Sequence, residues 1–330
     1  MAKAKAKAPA AARPRRVSHD SDQLNRLLLI GGVVGVLVIA AGVIIYGWWA
    51  TQVKPLGDTV LSVGETEFTL GHLERRLEQE LPDDLATAGA DLLTYPERVI
   101  NDLEREGLLI EGSGALNITV TDEEISAEVR TRGGLAEDVE PRLYAEEFSR
   151  QVKESGLHEG EYRQQLKAEM LEERVRNYFT FLVPETEPQV RGRWIVTQDQ
   201  ANADAALLRL AAGEAFEDVA TELSLDNVGS TREGDLPWTP RGIFGLLPLD
   251  VEDYLFSAEQ GAFSDVIEAD GAFYVVQVIE RDDNRELDDN QRIQVGIREM
   301  NKWLEDLPNT IVVVRDFDQE DAIKALNDVT

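Results

Sequence analysis

Apolar residues are first unbroken along this chain, then periodic. Residues 27–50, LLLIGGVVGVLVIAAGVIIYGWWA, contain no charged side chain. As a helix rising about 1.5 Å per residue they would extend about 36 Å, more than the roughly 30 Å hydrocarbon core of a bilayer requires. Tyr46, Trp48 and Trp49 close the stretch, where amphipathic rings favour the membrane interface. Lys3, Lys5, Lys7, Arg13, Arg15, Arg16 and Arg26 precede it. Positive flanks stay cytoplasmic, so the pattern predicts one transmembrane helix, an inside N-terminus and an extracytoplasmic remainder. A cleaved signal peptide is the competing reading. It would have a shorter apolar core and a small-residue cleavage site, whereas this core ends in two tryptophans. Gly31 and Gly35 have the GxxxG spacing that lets two such helices approach.

Beyond Thr51 the apolar positions recur at helical or strand spacing. Alternation around Gly64, in TVLSVGETEFT, predicts a hairpin over 59–69. Leu70, Leu73, Leu77 and Leu81 start a helix; Val99, Ile100, Leu103 and Ile110 line a second, which ends at Gly112 and Gly114. Thr121-Asp-Glu-Glu124 has the form of a capping box. A long helix follows around Tyr162, Leu166, Met170 and Tyr178, with Leu182 near its end. Pro184 and Pro188 then punctuate the chain, and a domain boundary is expected between them. After it the order changes to a strand over 191–196, helices over 199–211 and 216–223, and a Gly/Pro-rich loop over 229–245. A helical turn over 250–256 and a β-branched strand over 273–279 complete the pattern. That order predicts a small α+β domain. Residues 290–307 carry Ile293, Ile297, Met300 and Leu304 at helical spacing. Whether Ile311-Val-Val-Val314 adds a strand is left open by the pattern.

Charge separates the two ends. The formal net charge is -30. Setting aside the seven basic and two acidic residues of the first 50 leaves 26 basic against 61 acidic side chains. Such a surface repels nucleic-acid phosphates and anionic lipid headgroups, so neither is expected as a partner of the large region. There is no cysteine, which excludes disulfides, thiolate metal sites and a cysteine nucleophile. His158-Glu-Gly-Glu-Tyr162 opens like a zinc-binding H-E-x-x-H but lacks the second histidine. With three histidines in all, no metal site and no cofactor are expected.

The later residues carry a resemblance. Gly213-Glu-Ala-Phe216, Ala220, Ser224, Gly234-Asp-Leu236, Phe256-Ser-Ala-Glu-Gln-Gly261 and Phe263-Ser264 resemble, in order, the signature of parvulin-type (PpiC) peptidyl-prolyl isomerases. The resemblance covers residues 191–281. Upstream, Val60-Leu-Ser-Val-Gly-Glu65, the helix around Leu73 and Ile118-Thr-Val-Thr-Asp-Glu-Glu-Ile125 look like the helical chaperone domain of extracytoplasmic foldases such as SurA and PrsA. The resemblance implies an α+β chain: a transmembrane helix, a mainly helical SurA-N-like chaperone domain, a small parvulin-like domain and a C-terminal helix. The expected divisions are 1–26, 27–50, 51–187, 188–283 and 284–330.

Matching the family's site residue by residue puts Trp194 and Tyr274 where parvulins carry two histidines, and Asp226 at the family's Asp/Cys position. The proline slot falls on Leu246, Val251 and Phe256. Pro237 replaces the last glycine of the G-D-L-G turn. An indole has one N–H and no acceptor, so the histidine network cannot be reproduced as it stands. The resemblance therefore implies a membrane-tethered foldase for unfolded, newly exported polypeptides, with isomerase activity weak or lost. An active parvulin-type isomerase and a non-catalytic envelope scaffold are the alternatives. The oligomeric state is left open.

Overall fold

The computed structural model describes residues 40–45, 54–82, 89–225, 234–243 and 247–329. The chain divides into two units at Asp58. In the first, residues 40–45 are helical, with Val43, Ile44 and Ile45 exposed, and Lys54–Gly57 form a 3-10 turn. The rest of the tether expected over 27–50, its Gly31/Gly35 and Trp48/Trp49 included, lies outside the described residues, as does the basic tail. Among the described residues no helix is long and apolar enough to cross a membrane.

The second unit is a mixed helix-and-sheet body. Strands β1 (Thr59–Val63) and β2 (Thr66–Thr69) form the expected hairpin. Helix α1 (Leu70–Glu80) starts where the Thr69 hydroxyl accepts from the His72 amide. Helix α2 (Tyr95–Gly112) ends at the expected glycine. Helix α3 (Asp122–Arg132) begins with both halves of the capping box: the Thr121 amide donates to Glu124 Oε2, and the Glu124 amide to Thr121 Oγ1. Helices α4 (Pro141–Ser155) and α5 (Glu159–Leu182) complete the helical part.

Its core is closed by the far end of the chain. Met300 and Leu304 of α9 (Asp289–Asp306), with Leu307, Ala325 and Leu326 beyond it, share one buried cluster with Leu73, Ile100, Leu103 and Leu166. Strand β7 (Val313–Arg315) pairs antiparallel with β1, giving the order β2-β1-β7. Ile311-Val-Val-Val314 thus does feed a strand, and α10 (Gln319–Val329) follows it.

The remaining elements are inserted between α5 and α9. Strand β3 (Thr186–Thr197) begins five residues earlier than the sequence reading and runs through Pro188. It is antiparallel to β6 (Ala272–Glu286) over nearly its whole length. Short β4 (Thr239–Pro240) and β5 (Ile267–Ala269) flank them, giving the order β4-β3-β6-β5. Helices α6 (Gln200–Ala211) and α7 (Phe216–Leu223) cover one face of the sheet, around Ile195 and Val275. Helix α8 (Leu249–Ser257) covers the other. The two long strands alternate their side chains between these covers, so each face has its own core.

Candidate functional site

The sheet face beneath α8 brings together three of the residues expected from sequence. Trp194 on β3 stands opposite Val276, and Tyr274 on β6 stands opposite Val196. Their side chains therefore project to one face from diagonal positions, with ring centroids 5.9 Å apart and planes inclined at 51°. Val251 lies fully buried in the same cluster with Leu236, Leu255, Val276 and Val278. Phe256 packs against its margin, half-buried, under the Arg241 guanidinium 5.5 Å from its centroid. Asp226 and Leu246 lie outside the described residues.

Each wall has a local cause. The Val196 carbonyl accepts from the Leu225 amide at 2.8 Å, and the Val196 amide donates to Ser224 Oγ at 3.1 Å. The segment that leads to Asp226 is thereby anchored beside the residue paired with Tyr274. On its return, the Gly234 carbonyl accepts from the Trp194 amide and the Leu236 amide donates to the Gly192 carbonyl, both at 2.9 Å. Gly234 has φ +84°, and a Cβ there would lie 2.7 Å from both the Trp194 carbonyl oxygen and the Phe216 ring, so glycine is required. Helix α8 is held by Arg281, whose guanidinium donates to the carbonyls of Leu255 and Ala258. Its Glu252 carboxylate accepts from the Gly242 amide at 2.6 Å.

Sequence matching missed Leu236, Leu255 and Ser264. The Ser264 hydroxyl accepts from the Val276 amide at 2.9 Å and fixes the strand under the site. The G-D-L turn and the F-S pair carried the signal for two of them, and Leu255 lies one helical turn after Val251.

Among the described residues this face is mainly apolar. Trp194 and Tyr274 are both 8% exposed. The Trp194 indole N–H is buried and meets no acceptor among the described residues. Burial, then the nearby Asp265 carboxylate, push the Tyr254 phenol at the margin above its ordinary pKa, so it stays a neutral donor. Beside Val251 on α8 the Glu252 carboxylate is also buried, 6% exposed, and it is taken up by the Gly242 amide. A polar cavity of about 650 Å³ opens between Arg191, Arg193, Glu217, Asp235, Gln260 and Gln277, where Arg193 binds Gln277 and Glu217. It includes neither Trp194 nor Tyr274.

Comparison with protein families matches residues 23–176 to the SurA-like N-terminal domain and residues 172–290 to the PPIC-type PPIASE domain. The chain thus joins a SurA-like N-terminal domain to a PpiC-type peptidyl-prolyl isomerase domain. It is similar to proteins named foldase protein PrsA. That of Caldanaerobacter subterraneus subsp. tengcongensis is 26% identical over 184 residues, 55% of this chain and 56% of the relative. That of a Geobacillus species is 22% identical over 201 residues, 57% and 65% respectively. The chain therefore spans less than two thirds of the length of these curated relatives. Among solved structures, the peptidylprolyl isomerase PrsA from Bacillus anthracis shares 16% identity, with 70% of this chain and 94% of that chain covered and a TM-score of 0.40.

Proposed function

We propose that this protein is a membrane-tethered extracytoplasmic foldase that binds unfolded exported polypeptides and has little or no prolyl isomerase activity. The observation that carries the reading is the packing of Trp194 and Tyr274. At the two positions where parvulins are expected to carry histidine, these side chains fill the face beneath α8 along with fully buried Val251 and Leu255. Twisting a peptide bond must overcome a barrier of about 18–20 kcal/mol, and lowering it requires polar groups aimed at the twisted amide. A buried indole N–H, one phenol and a wall of Val and Leu do not reproduce a pair of histidines.

The SurA-like domain then carries the function. Phe181 and Leu182 at the end of α5 are 83% and 55% exposed, apolar area that an unfolded chain can cover. The uncharged stretch 27–50, with its basic inner flank, supports the tether, and tethering raises the effective concentration at the membrane surface. Of the slot residues expected from sequence, half-buried Phe256 is the one described residue left at the surface for a peptide, because Val251 is fully buried. The experiment is aggregation of a chemically denatured client on dilution, with and without the full-length chain. Suppression at equimolar ratio is expected; no effect at several-fold excess would contradict the reading.

A further inference from the structure

Among the described residues, strand β7 is an edge with no strand on its outer side. Its sheet order is β2-β1-β7, so β1 is its only neighbour in that sheet. The Val312 carbonyl accepts from the Gly64 amide and the Asp316 amide donates to the Val60 carbonyl, each at 2.9 Å. Ser62 stands opposite Val314. Even-numbered residues therefore bond to β1, while the amides and carbonyls of Val313 and Arg315 point away from it.

The side chains alternate as well. Ile311 and Val313 pack on the core, whereas Val312 and Val314 are 72% and 52% exposed on the outer face. Exposed β-branched residues on an open edge are what soluble proteins ordinarily avoid, because such an edge recruits another strand. Its short length, three residues, is the one usual blunting device it has. No lysine or proline lies within 311–317, and the nearest cation, Arg315, is taken up by Glu97 and Glu104 of α2. The surroundings are acidic. Asp316, Asp318 and Glu320 follow β7, and Glu67 is exposed two strands away; Ser62, which faces both Val314 and Glu67, links them across the sheet.

We propose that β7 is a client-docking edge, at which an extended segment of unfolded polypeptide with apolar residues at alternate positions and basic residues at its ends adds as a fourth strand. Main-chain bonds to Val313 and Arg315 give affinity for any sequence, Val312 and Val314 take alternate apolar side chains, and the acidic rim selects Lys and Arg. This rests on the foldase reading and names the client class and the place where it binds.

The probe is a fluorescein-labelled nine-residue peptide with valine at alternate central positions, serine between them and lysines at both ends, titrated into the full-length chain. Val312→Ser with Val314→Ser should weaken binding about tenfold, since both side chains are exposed and the fold does not depend on them. Binding should also fall several-fold between about 0.05 and 0.5 M salt. Amide exchange at Val313 and Arg315 should slow on binding, while that at Val314, already bonded to β1, should change little. Absence of binding, unchanged affinity in the double variant, or equal affinity for the same peptide with glutamates at both ends would overturn the proposal. So would a self-association of the chain abolished by the same two substitutions, which would assign the edge to a second copy. If any of these occurs while the chain still suppresses client aggregation, the edge assignment fails alone. If aggregation is not suppressed either, the foldase reading fails with it.

Discussion

Gly296 of α9 packs directly on Thr180: a Cβ at position 296 would run into Thr180 Oγ1 and lie 2.7 Å from Thr180 Cα and 2.8 Å from its amide nitrogen. Here the helix returning from the PpiC-type domain crosses the helix that leads into it. Arg292 caps the same junction by donating to the carbonyls of Val183 and Pro184, and Phe179 and Trp303 close it further along, 5.8 Å between centroids. The hydroxyl could rotate away, but Cα and the amide nitrogen are backbone and cannot swing aside. Gly296→Ala should destabilise the chain by about 1–3 kcal/mol, read as a lower denaturant midpoint at unchanged slope. An unchanged midpoint would mean the two helices are not in contact.

The C-terminal segment is part of the first core rather than an appendage. Leu326 and Ala325 are buried against it, whereas Ile323 on the same helix is 47% exposed. Leu326→Ala should therefore cost about 2–5 kcal/mol, and Ile323→Ala no more than about 0.5 kcal/mol. Equal effects of the two substitutions in thermal or denaturant unfolding would contradict this placement.

Acid sensitivity should trace to His72. Its ring is 3% exposed beside Phe68, its Nε2 lacks a partner among the described residues, and burial pushes its pKa from 6.5 down to about 4. Arg75 and Arg76 add to the depression, against Glu161, which opposes it. Because the folded pKa lies below the unfolded one, the unfolded chain takes the proton first. Stability is full above about pH 6.5 and falls as pH drops toward 4, by on the order of 3 kcal/mol. His72→Gln should flatten that window when unfolding is followed between those pH values. A slope that survives the substitution would place the sensitivity elsewhere. Glu161 offers one such site at lower pH: burial raises its pKa, but the Arg75 ion pair and the His158 amide bring it below the ordinary value.

Much of this was legible in the sequence where local chemistry and tertiary packing agree. The capping box at Thr121, the leucines of α1 and the spacing of Ile293, Ile297, Met300 and Leu304 placed their helices to within a residue or two, although Ile293 is 45% exposed and Val295 is buried instead. Helix α4 was not legible, because only Phe148 and Gln151 are buried along it. Its length is held instead by ion pairs of Arg150 with Glu147 and Glu154 and by Gln151, which receives the Tyr162 hydroxyl. Nor could periodicity reveal that β7 returns to β1, since a three-residue strand has no period and its partner lies some 250 residues away in sequence. At the site, strand alternation put Trp194 and Tyr274 on one face, but the complete burial of Val251 depends on how α8 sits on the sheet. No spacing rule encodes that.

If Trp194 and Tyr274 have replaced the isomerase histidines of a foldase, the decisive measurement is the rate at which the full-length chain isomerises a proline-containing tetrapeptide. That rate should be indistinguishable from the uncatalysed one, tens of seconds or slower at 25 °C. Acceleration that grows in proportion to protein concentration would contradict it.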